Sequence, residues 1–288
     1  MMDIISALRP RQWIKNCLIL APLFFANKAL ESYFVLEAVL AVISFIAASS
    51  AIYIINDLID INKDKLHPQK KNRAIASGKV TWKNVIITAL ILITISLLLA
   101  NYISRNFLFI VCVYLIMQVC YSTYLKNIIL LDVIFISFGF VMRIIAGAVA
   151  INVGISFWII LCTFLGALFL AFSKRKNELM LLSEDAHTHR LVLGTYSDDL
   201  LKHLISIVAG STILAYALYT QDRDTILKFG TDNLKYTIPF VVYGIFRYLF
   251  LVFNKTEGGD PAEVFTSDTP LILNITLFII VVFIVLYL

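Results

Sequence analysis

Nine stretches of about 20 mostly apolar residues recur along this chain of 288 residues, and their recurrence limits its possible folds more than any other feature. They lie near 12–30, 33–58, 82–102, 106–125, 129–150, 154–174, 200–220, 236–254 and 270–288. Each is close to the length that an α-helix needs to cross the hydrocarbon core of a bilayer. The first is the weakest, because Pro22 interrupts it and Lys15 and Asn16 lie inside it. The expected fold is all-α, a polytopic membrane helical bundle of about nine transmembrane helices forming a single domain over residues 1–288. Hydrophobic residues make up 60% of the chain and charged residues only 15%, which excludes intrinsic disorder. The four cysteines, Cys17, Cys112, Cys120 and Cys162, stand singly in apolar stretches, so neither a disulfide framework nor a thiolate metal site is expected. Residues Met1 to Arg11 contain no apolar run before a small-residue cleavage site, and no cleavable signal peptide is expected.

Charge sets the expected topology. With the N-terminus in the cytoplasm, 17 of the 24 lysines and arginines fall on the cytoplasmic side and 5 on the outer side. Arg143 and Arg247 fall within spans. Lys and Arg collect on the cytoplasmic side of membrane proteins, so the bias predicts N-terminus in and C-terminus out. The long connections 59–81, 175–199 and 255–269 are then all cytoplasmic.

The first of these connections carries the most chemistry. An apolar helix runs directly into Asn56, Asp57, Asp60 and Asp64. The three aspartates are spaced i, i+3 and i+7, which places them on one face of a helix. Three carboxylates at a span end repel one another unless a cation sits among them, and an all-oxygen set suits Mg²⁺, with Mn²⁺ as a substitute. The plainer alternative is a solvated helix end with Lys63 and Lys65 as counter-ions. His67, Pro68, Lys70, Lys71 and Arg73 follow, and Pro68 is expected to end the helix. Lys70 and Arg73 can then fold back to share a phosphate with the metal.

The run Asn56-Asp57-x-x-Asp60-x-x-x-Asp64 resembles the first aspartate motif of the UbiA-type intramembrane prenyltransferase superfamily. Further residues are similar to one branch of it, the polyprenyl-phosphate phosphoribosyltransferases. They are Arg9-Pro10-Arg11-Gln12-Trp13-Ile14-Lys15-Asn16, His67-Pro68 with Lys70 and Arg73, Ala76-Ser77-Gly78, Leu125-Lys126 and Asp132-Val133. Gly139-Phe140 with Arg143, Ala146-Gly147, Lys174-Arg175 with Glu178-Leu179, Tyr196, Arg247-Tyr248 and the Glu257 to Glu263 loop complete the set. Ala74 departs from the branch pattern, which more often has proline after the arginine. The resemblance implies an enzyme that moves 5-phosphoribose from phosphoribosyl pyrophosphate to a polyprenyl phosphate in cell-envelope biosynthesis. It implies Asp57, Asp60 and Asp64 as catalytic, with Asn56 joining them around the metal. Lys15, Asn56, Lys70, Arg73, Lys126, Arg143, Lys174, Arg175, Glu178 and Tyr196 would hold substrate. The implied partners are the soluble donor, the lipid acceptor and the cell (inner) membrane, with no nucleic acid. A homo-oligomer is left open.

The remaining constellations have both bland and functional readings. Arg143 shares a helix face with Gly139 and Gly147, while Asp132 lies about 16 Å away along the axis, too far for a direct bridge. A buried arginine needs partners, and a phosphate is one. Lys174, Arg175 and Glu178 at the sixth span's end allow a simple Lys174–Glu178 pair at i,i+4. Ordinary relatives carry a second aspartate motif in the next loop, whereas this chain has Glu184-Asp185 and Asp198-Asp199 without its spacing. His187 and His189 read as solvated, and Trp13, Trp82 and Trp158 as an interfacial belt. An aromatic prenyltransferase using a prenyl diphosphate is the nearest alternative. A transporter would require paired repeats with broken helices, and none is seen.

Overall fold

The computed structural model describes residues 2–66, 70–182, 194–254, 264–265 and 267–287, and every regular element among them is helical. In chain order these are α1 (Met2–Ala7), a 3₁₀ helix (Pro10–Leu20), α2 (Ala21–Phe25), α3 (Ser32–Ile59), α4 (Ile61–Leu66), α5 (Trp82–Ile103), α6 (Arg105–Thr123), α7 (Leu131–Ala150) and α8 (Phe157–Leu182). The helices Asp198–Gln221, Ile238–Asn254 and Thr269–Tyr287 follow, with the short helix Arg223–Phe229 between the first two. Among the described residues, eight helices are long and apolar enough to cross a membrane, and the protein is an integral membrane helical bundle. Two sequence expectations need correction. The first apolar segment forms no long α-helix, because Pro10 and Pro22 each remove a backbone donor and the polar Lys15 and Asn16 lie between them. The sixth span runs on to Leu182, so Lys174 to Glu178 belong to a helix rather than to a loop.

The described residues fall into two compact units, one up to Ile155 and one from Ser156 onward. In the first unit α3 is the central element. Its buried stripe of Ala38, Ala41, Ser44, Phe45, Ala48 and Ala51 is mostly small, which lets neighbouring backbones approach closely. Ser44 donates to the Ser96 carbonyl at 3.0 Å and so ties α3 to α5. Phe45 packs with Phe107 and Tyr114 of α6 and with Ala146 and Ala150 of α7. The Ser104 hydroxyl accepts from Phe107 N at 3.1 Å and caps α6 immediately after α5 ends.

The 3₁₀ helix runs antiparallel to α3. Arg9, at its start, pairs with Asp57. Trp13 Nε1 donates to Ser50 Oγ at 3.0 Å, so Trp13 is a helix-packing donor as well as an amphipathic ring. Asn16 Nδ2 donates to Ser49 Oγ at 3.2 Å. Leu23 of α2 clusters with Ala38 near the other end of α3. Gly147 of α7 makes the tightest approach to this segment: a Cβ there would lie 2.0 Å from the Ile19 carbonyl oxygen. Because the obstacle is backbone, Gly147→Ala is expected to lower stability by roughly 1–3 kcal/mol. A reduced melting temperature in detergent checks this, and an unchanged one would mean the 3₁₀ helix packs elsewhere.

In the second unit, α8 packs against the helix Asp198–Gln221. Arg247 makes a two-pronged contact with Asp268, at 3.1 Å through Nε and 2.8 Å through Nη2. Asp268 also accepts from Leu271 N at 3.0 Å and starts the last helix. Phe169 meets Tyr248 edge to face, and Tyr248 meets Phe265 at a tilt. The outward faces of both units carry exposed Leu, Ile and Phe, as lipid contact requires.

Candidate functional site

Asn56 and Asp57 occupy the last turn of α3, Asp60 follows it and Asp64 lies in α4. Helical bonding continues across the junction, from Asp60 N to Asn56 O at 2.9 Å and from Asp64 N to Asp60 O at 2.8 Å. Asp60 itself has left the helical region, with φ −91° and ψ 5°, so the helix bends there. The bend divides the expected single acidic face into two pairs.

In the first pair, Arg73 Nη1 lies 3.1 Å from Asp57 Oδ1 and 2.7 Å from Asp64 Oδ2. Arg9 donates to the same Asp57 oxygen. In the second pair, Lys126 Nζ lies 2.7 Å from both oxygens of Asp60 and 3.2 Å from Asn56 Oδ1. Asp57, Asp64 and Lys126 are buried. The counter-ions are therefore not Lys63 and Lys65, which are exposed, but cations from three other elements. Among the described residues three carboxylates face three cations, a balance close to neutral.

Arg9 was not predicted as a site residue. It adopts a left-handed backbone conformation, φ 53° and ψ 62°, immediately before Pro10. That conformation costs a non-glycine residue about 1–2 kcal/mol. The ion pair to Asp57 and the stacking of its guanidinium 5.1 Å from the Tyr53 ring hold it there. Its signals in the sequence are its place at the head of the Arg9 to Asn16 run and a cation placed directly before a proline.

The donor set can be tested against a hard divalent ion. Three carboxylates and one amide oxygen, without sulfur or imidazole, suit Mg²⁺. Arg73 Nη1 already occupies a point between two of the carboxylates, where a cation is favoured. Among the described residues no three His, Cys, Asp or Glu side chains converge as a ready-made cage, because Asp60 turns toward Lys126. The chemistry of the set fits the ion, and the pairing with Arg9, Arg73 and Lys126 is what the ion would displace.

Arg143 is buried in the middle of α7 and its partners are neutral. It donates to Asn16 Oδ1 at 2.8 Å, Gly139 O at 2.7 Å and Tyr114 Oη at 3.0 Å. Asp132 is buried at the start of the same helix and does not bridge to it. Lys15 is half-buried beside Asn16 on the 3₁₀ helix, and Lys70 opens a short 3₁₀ turn, Lys70–Asn72, three residues before Arg73.

In the second unit Arg175 is 1% exposed and donates to Glu178, forming an i,i+3 pair. Lys174 is half-buried on α8, and Tyr196 is buried just before the helix Asp198–Gln221. Sequence reasoning missed Lys176, which is buried, lies 3.2 Å from Asp198 and sits 5.1 Å from the Phe253 ring. Its only signal was a third consecutive basic residue at a helix end. His67 and Pro68, Glu184-Asp185, His187 and His189, and the Glu257 to Glu263 loop lie outside the described residues.

The model of the UbiA prenyltransferase family matches residues 17–265. The chain is 33% identical over 277 residues to the decaprenyl-phosphate phosphoribosyltransferase of Mycolicibacterium smegmatis, covering 92% of this chain and 86% of that protein. The protein of the same name from Corynebacterium glutamicum is 32% identical over 273 residues, covering 92% and 80%. Among solved structures, a UbiA homolog from Archaeoglobus fulgidus bound to GPP and Mg²⁺ superposes with a TM-score of 0.73 at 19% identity, over 99% of this chain and 100% of that one.

Proposed function

The chain belongs to the UbiA prenyltransferase family, and from that premise we propose that it is a Mg²⁺-dependent phosphoribosyltransferase. It moves 5-phosphoribose from phosphoribosyl pyrophosphate to a polyprenyl phosphate and releases pyrophosphate. The similarity to proteins named decaprenyl-phosphate phosphoribosyltransferase supports the substrates. The observation that carries the reading is the pairing of Asp57, Asp60 and Asp64 with Arg9, Arg73 and Lys126. A neutral cluster of that kind takes up a divalent ion and a multiply charged phosphate donor together, since each cancels the other's charge. The Mg²⁺ bound by the superposed Archaeoglobus structure is in keeping with this.

Asp57, Asp60 and Asp64, with Asn56, would hold the ion, which when bound supplies positive charge to the departing pyrophosphate. Arg73 and Lys126 are placed to turn from carboxylate to phosphate oxygen as the donor enters. Lys15, Lys70, Arg143, Lys174, Arg175, Glu178 and Tyr196 are the further residues proposed to hold substrate. The bond from ribose C1 to the pyrophosphate oxygen breaks, and a bond from C1 to an oxygen of the lipid phosphate forms. The acceptor is already an anion, so no strong general base is needed. Positioning and fixed charge supply most of the rate. The whole chain is read as one catalytic domain in the cell (inner) membrane, with the N-terminus and the catalytic connections cytoplasmic, the orientation that the Lys and Arg bias predicts.

The test uses protein purified in detergent with Mg²⁺, labelled phosphoribosyl pyrophosphate and polyprenyl phosphate. Label is expected to move into the organic phase, to stay behind when EDTA is added, and to move again when Mg²⁺ or Mn²⁺ is restored. Transfer only from a prenyl diphosphate to an arene would instead establish an aromatic prenyltransferase.

A further inference from the structure

Asn177 lies on α8 among the basic residues already described, yet it has no part in their ion pairs. It is 1% exposed, and among the described residues neither its amide nitrogen nor its amide oxygen has a hydrogen-bond partner. Its chain neighbours are engaged: Arg175 pairs with Glu178, and Lys176 with Asp198. Ser173, one turn earlier on the same face, spends its hydroxyl on the Phe169 carbonyl at 2.7 Å. Burying a carboxamide with both ends unpaired forfeits its hydration and gains nothing in return. A leucine of similar volume would fill the position without that cost. The position is therefore shaped for a ligand rather than for the fold.

The ligand's chemistry follows from the side chain. A carboxamide offers a donor and an acceptor side by side. A phosphate oxygen only accepts, and an isoprenoid chain does neither. A pair of adjacent hydroxyls donates and accepts at once, and a ribose ring carries such a pair. We infer that Asn177 recognises the pentose hydroxyls of the donor substrate and so selects a sugar phosphate over an allylic diphosphate. The inference rests on the phosphoribosyl reading and adds to it a residue that chooses the donor class.

The test compares wild type with Asn177→Leu, full-length in detergent, using D-ribose 5-phosphate and 2-deoxy-D-ribose 5-phosphate as probes. Wild type is expected to bind the ribose compound at least about tenfold more tightly, because a site built to bond a hydroxyl rejects the analogue lacking it. Asn177→Leu should bind the two about equally. It should also raise the KM for phosphoribosyl pyrophosphate about tenfold, leave the KM for polyprenyl phosphate unchanged, and melt no lower than wild type without ligand. Asn177→Asp, which keeps only the acceptor, should fall between them and serves if the leucine variant fails to fold. A leucine or aspartate variant that keeps wild-type discrimination, or a wild type that binds neither probe, overturns the inference. Discrimination that depends on Asn177 without any label transfer would sink the proposed reaction and leave the recognition standing.

Discussion

Asp60→Asn is expected to lower turnover at least about a hundredfold, and Asp57→Asn at least as much. Positive charge placed on a leaving phosphate is worth several kcal/mol, and each 1.36 kcal/mol is a factor of ten in rate. Asparagine keeps the shape of the side chain and removes the charge that would hold the ion. Asp60 gives the cleaner experiment, because among the described residues it pairs with Lys126 alone and its side chain is 19% exposed. Asp57 is more deeply buried and faces two guanidinium groups, so Asp57→Asn should also lower the melting temperature. Turnover and melting temperature are measured together in detergent. Near-normal turnover in both variants would remove the assignment of a metal to these residues.

Arg73→Gln should separate two effects that usually travel together. In the resting site, Arg73 Nη1 sits between Asp57 and Asp64 and competes with any other cation. Its removal should lower the Mg²⁺ concentration needed for half-maximal rate. The same residue is expected to hold substrate phosphate, and losing a charged hydrogen bond costs about 1.5–3 kcal/mol, or at least tenfold in kcat/KM at saturating metal. Arg73→Lys should recover only part of that loss, since lysine cannot make a planar two-pronged contact. If Arg73 only braces the loop, metal requirement and kcat/KM should instead be little changed once the variant is folded. A titration of rate against Mg²⁺ for the three proteins distinguishes these outcomes.

Much of the fold was legible because a membrane helix writes its length in uninterrupted apolar residues. α3, expected at 33–58, spans Ser32–Ile59, and α5, expected at 82–102, spans Trp82–Ile103. The acidic motif was legible because helical spacing is local. The counter-ions were not, since Arg9 and Lys126 reach it from 48 and 66 residues away, distances that only packing closes. The bend at Asp60 was hidden for a related reason: no proline or glycine marks it, and the divided ion pairs accompany it instead. Nothing in the sequence marks Asn177, whose amide is buried with neither end hydrogen-bonded among the described residues. The partners of Arg143 could not be read either, because Asn16 lies 127 residues from it in the chain.

The winding of the 3₁₀ helix decides how much depth a short segment can cover. Five residues of α2 and eleven of 3₁₀ helix would measure only about 24 Å if wound entirely as α-helix. The 3₁₀ winding rises about 2.0 Å per residue, which stretches the same residues to about 30 Å, the thickness of a hydrocarbon core. The contacts agree: Arg9 meets Asp57 at one end of α3 and Leu23 meets Ala38 near the other, some 28 Å of helix apart. A segment too short to traverse a bilayer in the usual winding thus covers the same depth as its long neighbour.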